Sequence, residues 1–124
     1  MYKIILTIVI FSLSLIAKAQ TNNDPILGKW TNEDKSRVLE FIKSGSGYEA
    51  VIIKAEDQSL IGKKQITSLR LSNEKGFYED GVLHIFQKNK TAFCSVKILD
   101  SESIELKATI GMFSKKQKWS KYNE

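Results

Sequence analysis

Apolar and polar positions alternate strictly along two stretches of the chain. Ile104, Leu106, Ala108 and Ile110 alternate with Ser103, Glu105, Lys107 and Thr109. Ala92, Cys94, Val96 and Ile98 alternate with Thr91, Phe93, Ser95 and Lys97. A period of two sends successive side chains to opposite faces of a strand, so each segment reads as a strand with one dry and one wet face. A helical period fits neither.

The remaining pattern supplies shorter strands. Residues 38–43 and 48–55 are rich in β-branched and aromatic side chains and flank Gly45-Ser46-Gly47, which predicts a hairpin. Residues 66–71 form another candidate strand, ended by Asn73-Glu74-Lys75-Gly76. Phe77-Tyr78 and residues 82–87 flank Asp80-Gly81, which reads as a further turn. Lys88-Asn89-Lys90 precedes the strand over 91–99, Asp100-Ser101-Glu102 separates it from 103–110, and 118–122 closes the set. Residues 56–65 are the least regular connection and predict a loop or a short helix over one end of the fold. Turn signals every eight to twelve residues or so favour an antiparallel sandwich or barrel. The expected fold is all-β: a small antiparallel up-and-down barrel of about eight strands, whose closure removes exposed edges.

The N-terminus has a different character. Lys3 precedes a mostly apolar run from Ile4 to Ile16, and Ala17-Lys18-Ala19 places small residues where a signal peptidase reads. This layout predicts a cleaved signal peptide over 1–19, with a run shorter than the roughly 20 residues of a membrane span. Residues 20–25 then form a polar leader, and residues 26–122 one barrel domain. The expected location is periplasmic or extracellular, without a stable membrane anchor.

Composition sharpens this picture once the leader is set aside. The full chain has 124 residues, 19 Lys+Arg, 14 Asp+Glu and a formal charge of +5. Removing 1–19 takes Lys3 and Lys18 with it, so 17 basic side chains face 14 acidic ones and the charge falls to +3. That excess is modest, and no nucleic-acid partner is expected. One Cys excludes an internal disulfide, and one Cys with one His excludes Cys-cluster and multi-His metal sites. No phosphate loop, dinucleotide fingerprint or nucleophile elbow occurs. Neither a cofactor, a metal site nor a catalytic set is expected, and an enzyme is the least supported class.

Gly28-Lys29-Trp30 resembles the Gly-x-Trp opening of lipocalin-like barrels. Further stretches are Ile26-Leu27, Arg37-Val38-Leu39-Glu40-Phe41, Tyr48 with Val51-Ile52, and Gly81 opening a strand. Asn89-Lys90-Thr91-Ala92-Phe93, Leu106-Lys107-Ala108 with Gly111, and Gln117-Lys118-Trp119 complete the set. In this order the chain resembles the secreted bacterial domain-of-unknown-function family 2147 over about residues 26–122. The resemblance implies a lipocalin-like barrel and export. It also implies a structural role for Gly28, Trp30, Trp119 and Lys121 in closing the barrel, with Lys121 or Lys118 stacked on the Gly-x-Trp tryptophan as a cation–π contact. The chain departs from that family in having no Asn-Pro in residues 55–60 and Ile85-Phe86 where members carry Asp-Pro.

Two functional classes follow. In the first, the barrel binds a small apolar or amphipathic ligand, with Phe41, Ile53, Tyr78, Phe86, Phe93 and Phe113 as candidate cavity residues. In the second, the barrel is filled and acts as an interaction or structural protein of the envelope. It would then use its loops and the cluster Lys115, Lys116, Lys118 and Lys121, which otherwise reads as a solvated face. His84 has no carboxylate partner evident in the pattern, and Cys94, on the apolar side of its strand, reads as a small buried hydrophobe. A monomer or a weak homodimer is expected.

Overall fold

The computed structural model describes residues 24–123. The signal-peptide expectation over 1–19 falls outside them, as does most of the polar leader. Eight antiparallel strands close into a barrel in chain order: β1 (Gly28–Thr31), β2 (Val38–Ser44), β3 (Gly47–Lys54), β4 (Lys64–Leu71), β5 (Phe77–Ile85), β6 (Lys90–Asp100), β7 (Ser103–Ile110) and β8 (Phe113–Lys121). Each strand pairs with the next, and β8 returns to β1. Two 3-10 turns, Gln58–Leu60 and Phe86–Lys88, lie in the β3–β4 and β5–β6 connections.

The predicted alternation sets the inside of the barrel. Ile104 and Leu106 on β7 and Ala92, Cys94 and Val96 on β6 are buried, while their odd-numbered neighbours on β6 point outward. Register partners continue these rows around the wall, as in Leu39 opposite Ile52, Phe41 opposite Ala50, and Val96 opposite Leu106. Trp30, Leu39, Tyr48, Ile52, Leu69, Tyr78, Ile104 and Trp119 belong to one dense core, and toward one end of it Tyr48 meets Tyr78 edge to face with ring centroids 5.2 Å apart. Fully burying a side chain of this size stabilises by about 1.5–3 kcal/mol.

The segment before β1 plugs that end. Ile26 is fully buried, and its carbonyl accepts a hydrogen bond from the Trp30 indole N–H at 2.9 Å. The Tyr48 hydroxyl donates to Asp24 Oδ2 at 2.7 Å. Asp24 is therefore part of the packed fold, although the leader reads as polar through residue 25.

One expected turn and one expected strand boundary differ in the structure. Asp80-Gly81 does not divide two strands: β5 runs unbroken from Phe77 to Ile85, and the pairing with β6 shifts register between Tyr78 and Gly81. This is a β-bulge, with Asp80 at φ 63° in the left-handed region that turn residues also favour. Gly81 is required by close approach, since a Cβ there would lie 2.7 Å from Cys94 Sγ and 2.9 Å from Leu69 Cδ1. The last strand also starts at Phe113, five residues before the stretch its pattern shows. Its inner row, Phe113, Lys115, Gln117, Trp119 and Lys121, mixes polar with apolar side chains, so the alternation is hidden.

Candidate functional site

Antiparallel connectivity sorts the loops onto two ends. The connections after β2, β4 and β6 share the end plugged by residues 24–27. Those after β1, β3, β5 and β7 share the other end. The core at the plugged end is filled, so any ligand space in the barrel belongs at the opposite, open end.

A cleft of about 400 Å³ lies there, between the ends of β5, β7 and β8. Its apolar wall is Leu83 and Ile85 from β5 and Leu106, Ala108 and Ile110 from β7. Phe113 lies along the rim and is 83% exposed. Lys88 comes from the 3-10 turn after β5, while Lys115 and Gln117 come from β8. Lys115 faces Ala108 across the β7–β8 ladder, and Gln117 faces Leu106. Both share parity with buried Trp119, so they belong to the inner row.

The lysine cluster of the sequence is thereby split. Lys115 lines the cleft, whereas Lys116 and Lys118 alternate to the outer face, opposite Lys107 and Glu105. Lys121 is at the far end of the same inner row, with its ammonium 4.7 Å from the centroid of the Trp30 ring. Trp30 and Lys121 are register partners on β1 and β8. Gly28 leaves room for this contact, because a Cβ at its φ of 122° would sit 3.3 Å from Lys121 Nζ. Trp119 is buried, and its indole N–H donates to Gln117 Oε1 at 2.9 Å. Gly28, Trp30 and Lys121 thus meet at the β1–β8 seam, whereas Trp119 lies two residues earlier on β8, opposite Ile104 of β7.

The six aromatic or aliphatic cavity candidates do not converge. Phe41 and Tyr78 point inward but are 3% and 1% exposed, and they fill the dense core rather than line a space. Ile53 alternates with buried Ile52 and so lies on the outer face of β3. Phe93 is likewise outward and 73% exposed, bordering a shallow groove with Val82 and Thr109. The physical reason is parity: aromatic character carries no direction, whereas position along a strand does. Phe86 packs partly buried against the core at the open end, beneath the Lys63 ammonium at 5.5 Å from its ring centroid. Of the six, Phe113 alone borders the cleft of the inner row.

The candidate reactive groups have structural partners. His84 Nε2 lies 3.0 Å from Thr67 Oγ1, and its ring stacks against Phe86 at 6.3 Å. No carboxylate contacts it among the described residues. Cys94 is buried, and burial alone pushes its thiol pKa up to about 12, which suppresses the nucleophilic thiolate. Among the described residues no group of His, Cys, Asp and Glu is arranged to hold a metal ion.

Two further arrangements were not evident in the sequence. Arg37 donates to Gln65 Oε1, and Gln65 Nε2 donates to the His84 carbonyl at 2.5 Å, tying the start of β2 through β4 to β5. Residues 28 positions apart in sequence leave no local signature for such a link. A second space of about 550 Å³ lies at the plugged end, beside Asp24, Tyr78 and Ile98. Asp24 is already engaged there by the Tyr48 hydroxyl and by Lys43 at 3.7 Å, while Lys75 lines the space at the exposed surface without an ion pair among the described residues.

Comparison with known proteins bears on the fold. No protein-family model matches the chain, and no curated protein sequence matches it significantly. Among solved structures, protein HP1028 from the human pathogen Helicobacter pylori, described as belonging to the lipocalin family, is similar with a TM-score of 0.66. The match covers 80% of this chain and 84% of that one at 17% identity. No helix among the described residues is long and apolar enough to cross a membrane. The closed eight-stranded barrel, its Gly-x-Trp seam and this structural likeness together give the chain a lipocalin-like fold.

Proposed function

We propose that this protein binds a small apolar or amphipathic molecule at the open end of its barrel. One observation carries the reading: the inner row stops being filled at that end. Leu83, Leu106 and Ala108, which would be core residues in a solid barrel, line a cleft of about 400 Å³. Small-molecule sites commonly enclose about 300–1,000 Å³ with mostly apolar walls and a few placed polar groups. The export expected from residues 1–19, and the resemblance to family 2147, fit a carrier or sensor outside the cytoplasm. Both belong to this proposal.

The test is saturable binding of a neutral hydrophobic probe, N-phenyl-1-naphthylamine, to the folded protein, read by its fluorescence. Ala108→Trp places a large side chain in the cleft and is expected to weaken binding at least about tenfold while circular dichroism stays that of a β-protein. Linear, non-saturating fluorescence, or unchanged affinity in a folded Ala108→Trp protein, overturns the reading.

A further inference from the structure

The charged groups that line the open-end cleft share one sign. Lys88 and Lys115 both line it, no carboxylate does, and neither lysine forms an ion pair among the described residues. Elsewhere on the barrel three basic groups make ion pairs, Lys43 with Asp24, Lys64 with Glu49 and Arg70 with Asp80, while other lysines such as Lys54, Lys97 and Lys107 stand at the exposed surface without one among the described residues; what distinguishes Lys88 and Lys115 is the apolar wall beside them. Two neutral side chains, Ser114 and Gln117, also line the cleft, and the Gln117 Oε1 already accepts from the Trp119 indole while no bond engages its amide N–H₂ among the described residues.

Lys115 belongs by parity to the inner row of β8 but stands at its exposed, open-end part, beside Ala108, its partner on β7. Lys121 occupies the same row and is accounted for by the Trp30 ring beneath it. Lys115 has no ring and no acid. A cation held beside an apolar wall is complementary to an amphiphile whose head is an anion, because the head gains charge-assisted hydrogen bonds while the tail covers Leu83, Ile85 and Leu106.

We infer that the cleft selects single-tailed amphiphiles with an anionic head, carboxylate or phosphate, held by Lys115 with Lys88 on the facing rim and the Gln117 amide as a further donor. This rests on the binding site proposed above and adds to it the sign of the ligand's charge. The outer-face lysines supply the internal control. Lys116 and Lys118 follow Lys115 in sequence but point away from the cleft, so each carries the same charge without the contact.

The experiment is calorimetric titration of the full-length mature protein near neutral pH, with each amphiphile below its micelle concentration. Dodecanoate, dodecyl phosphate, dodecanol and dodecyltrimethylammonium share one tail and differ in the head. An anion is expected to bind at least about tenfold more tightly than the alcohol, and the cation most weakly. Whichever of dodecanoate and dodecyl phosphate binds more tightly identifies the head. Lys115→Gln is expected to remove most of the anion's advantage, and Lys88→Gln part of it. A Lys116→Gln, Lys118→Gln double variant is expected to keep it. Equal affinities for all four compounds, or equal losses in the Lys115 and Lys116/Lys118 variants, overturn the inference and leave the binding site standing. If no compound binds, dodecanol included, the binding site itself fails and the charge preference falls with it.

Discussion

At Gly81 one methyl group has nowhere to go. The bulge in β5 turns this backbone toward Cys94 and Leu69, and a Cβ would meet the Cys94 sulfur, the Leu69 methyl and, at 3.2 Å, the Cys94 carbonyl oxygen. The carbonyl belongs to the β6 ladder and cannot yield without breaking pairing. Gly81→Ala is therefore expected to destabilise the fold by about 1–3 kcal/mol, the usual cost of overpacking a dense interior. Urea unfolding monitored by tryptophan fluorescence measures this, and an unchanged midpoint would show that the bulge has slack. The same position shows how residue chemistry misleads. Asp-Gly is a hairpin signal because both residues reach positive φ cheaply, and a bulge demands the same conformation. Phe93 errs in the other direction: it alternates with the apolar row of its own strand, so its outward position was readable, and its size drew attention that its parity did not justify.

Among the elements, legibility follows how cleanly each strand separates its two faces. β6 and β7 are plain because inner apolar residues alternate with outer polar ones over four repeats each. β1 spans only Gly28–Thr31, too short for a period to register, and Gly-x-Trp marks it instead. β8 is the informative case. Its inner row carries Lys115 and Gln117, so residues 113–117 look like a charged loop, and the lysine that faces the cleft merges with the neighbours that face solvent. The outer row makes its own prediction. Lys116 lies directly opposite Lys107 on β7, a like-charge pair of the kind that weakens a ladder. Lys116→Glu is expected to stabilise the protein by a few tenths of a kcal/mol, toward the low end because the pair is solvated. The gain should appear as a small rise in Tm at low salt and shrink in high salt. A gain that persists unchanged in high salt would rule out charge as its origin.

For the whole molecule, stability as a function of pH follows from groups at both ends of the barrel. Asp34, Asp57 and Asp100 each accept local hydrogen bonds that hold their carboxyls below the ordinary value of 3.8. The donors are chiefly the Ser36 hydroxyl, the Ser59 hydroxyl and the Glu102 backbone N–H. A carboxyl depressed on folding stabilises above its unfolded pKa, and that contribution drains away as pH falls below about 4 through the folded value. Tyr48 and Tyr78 work in the opposite sense. Burial, and for Tyr48 the hydrogen bond to Asp24, pushes both phenols above their ordinary value of 10.0. Their contribution is complete below the unfolded pKa and is lost as pH rises past about 10. Chemical denaturation across pH should give a plateau between these limits with declines on both sides. Tyr48→Phe should blunt the alkaline decline selectively; an alkaline limb that keeps its slope would place its origin elsewhere. The closed barrel follows from local periodicity, but the cleft does not. It depends on how far up the wall the filling continues, which is set jointly by three strands that no single stretch of sequence describes.

The β1–β8 seam has a mechanical consequence. It is closed by two register pairs, Trp30 with Lys121 and Thr31 with Ser120, and by the Tyr122 N–H bonded to the Lys29 carbonyl at 2.9 Å. The chain enters β1 and leaves β8 at the same end of the barrel. Tension applied between residues 24 and 123 therefore loads the seam's hydrogen bonds one after another instead of all together, because ladder bonds run across the strands. Under force the barrel therefore opens like a zip: the plug of Asp24 and Ile26 must be drawn out first, and the seam then parts from the Tyr122–Lys29 bond toward Trp30 and Thr31.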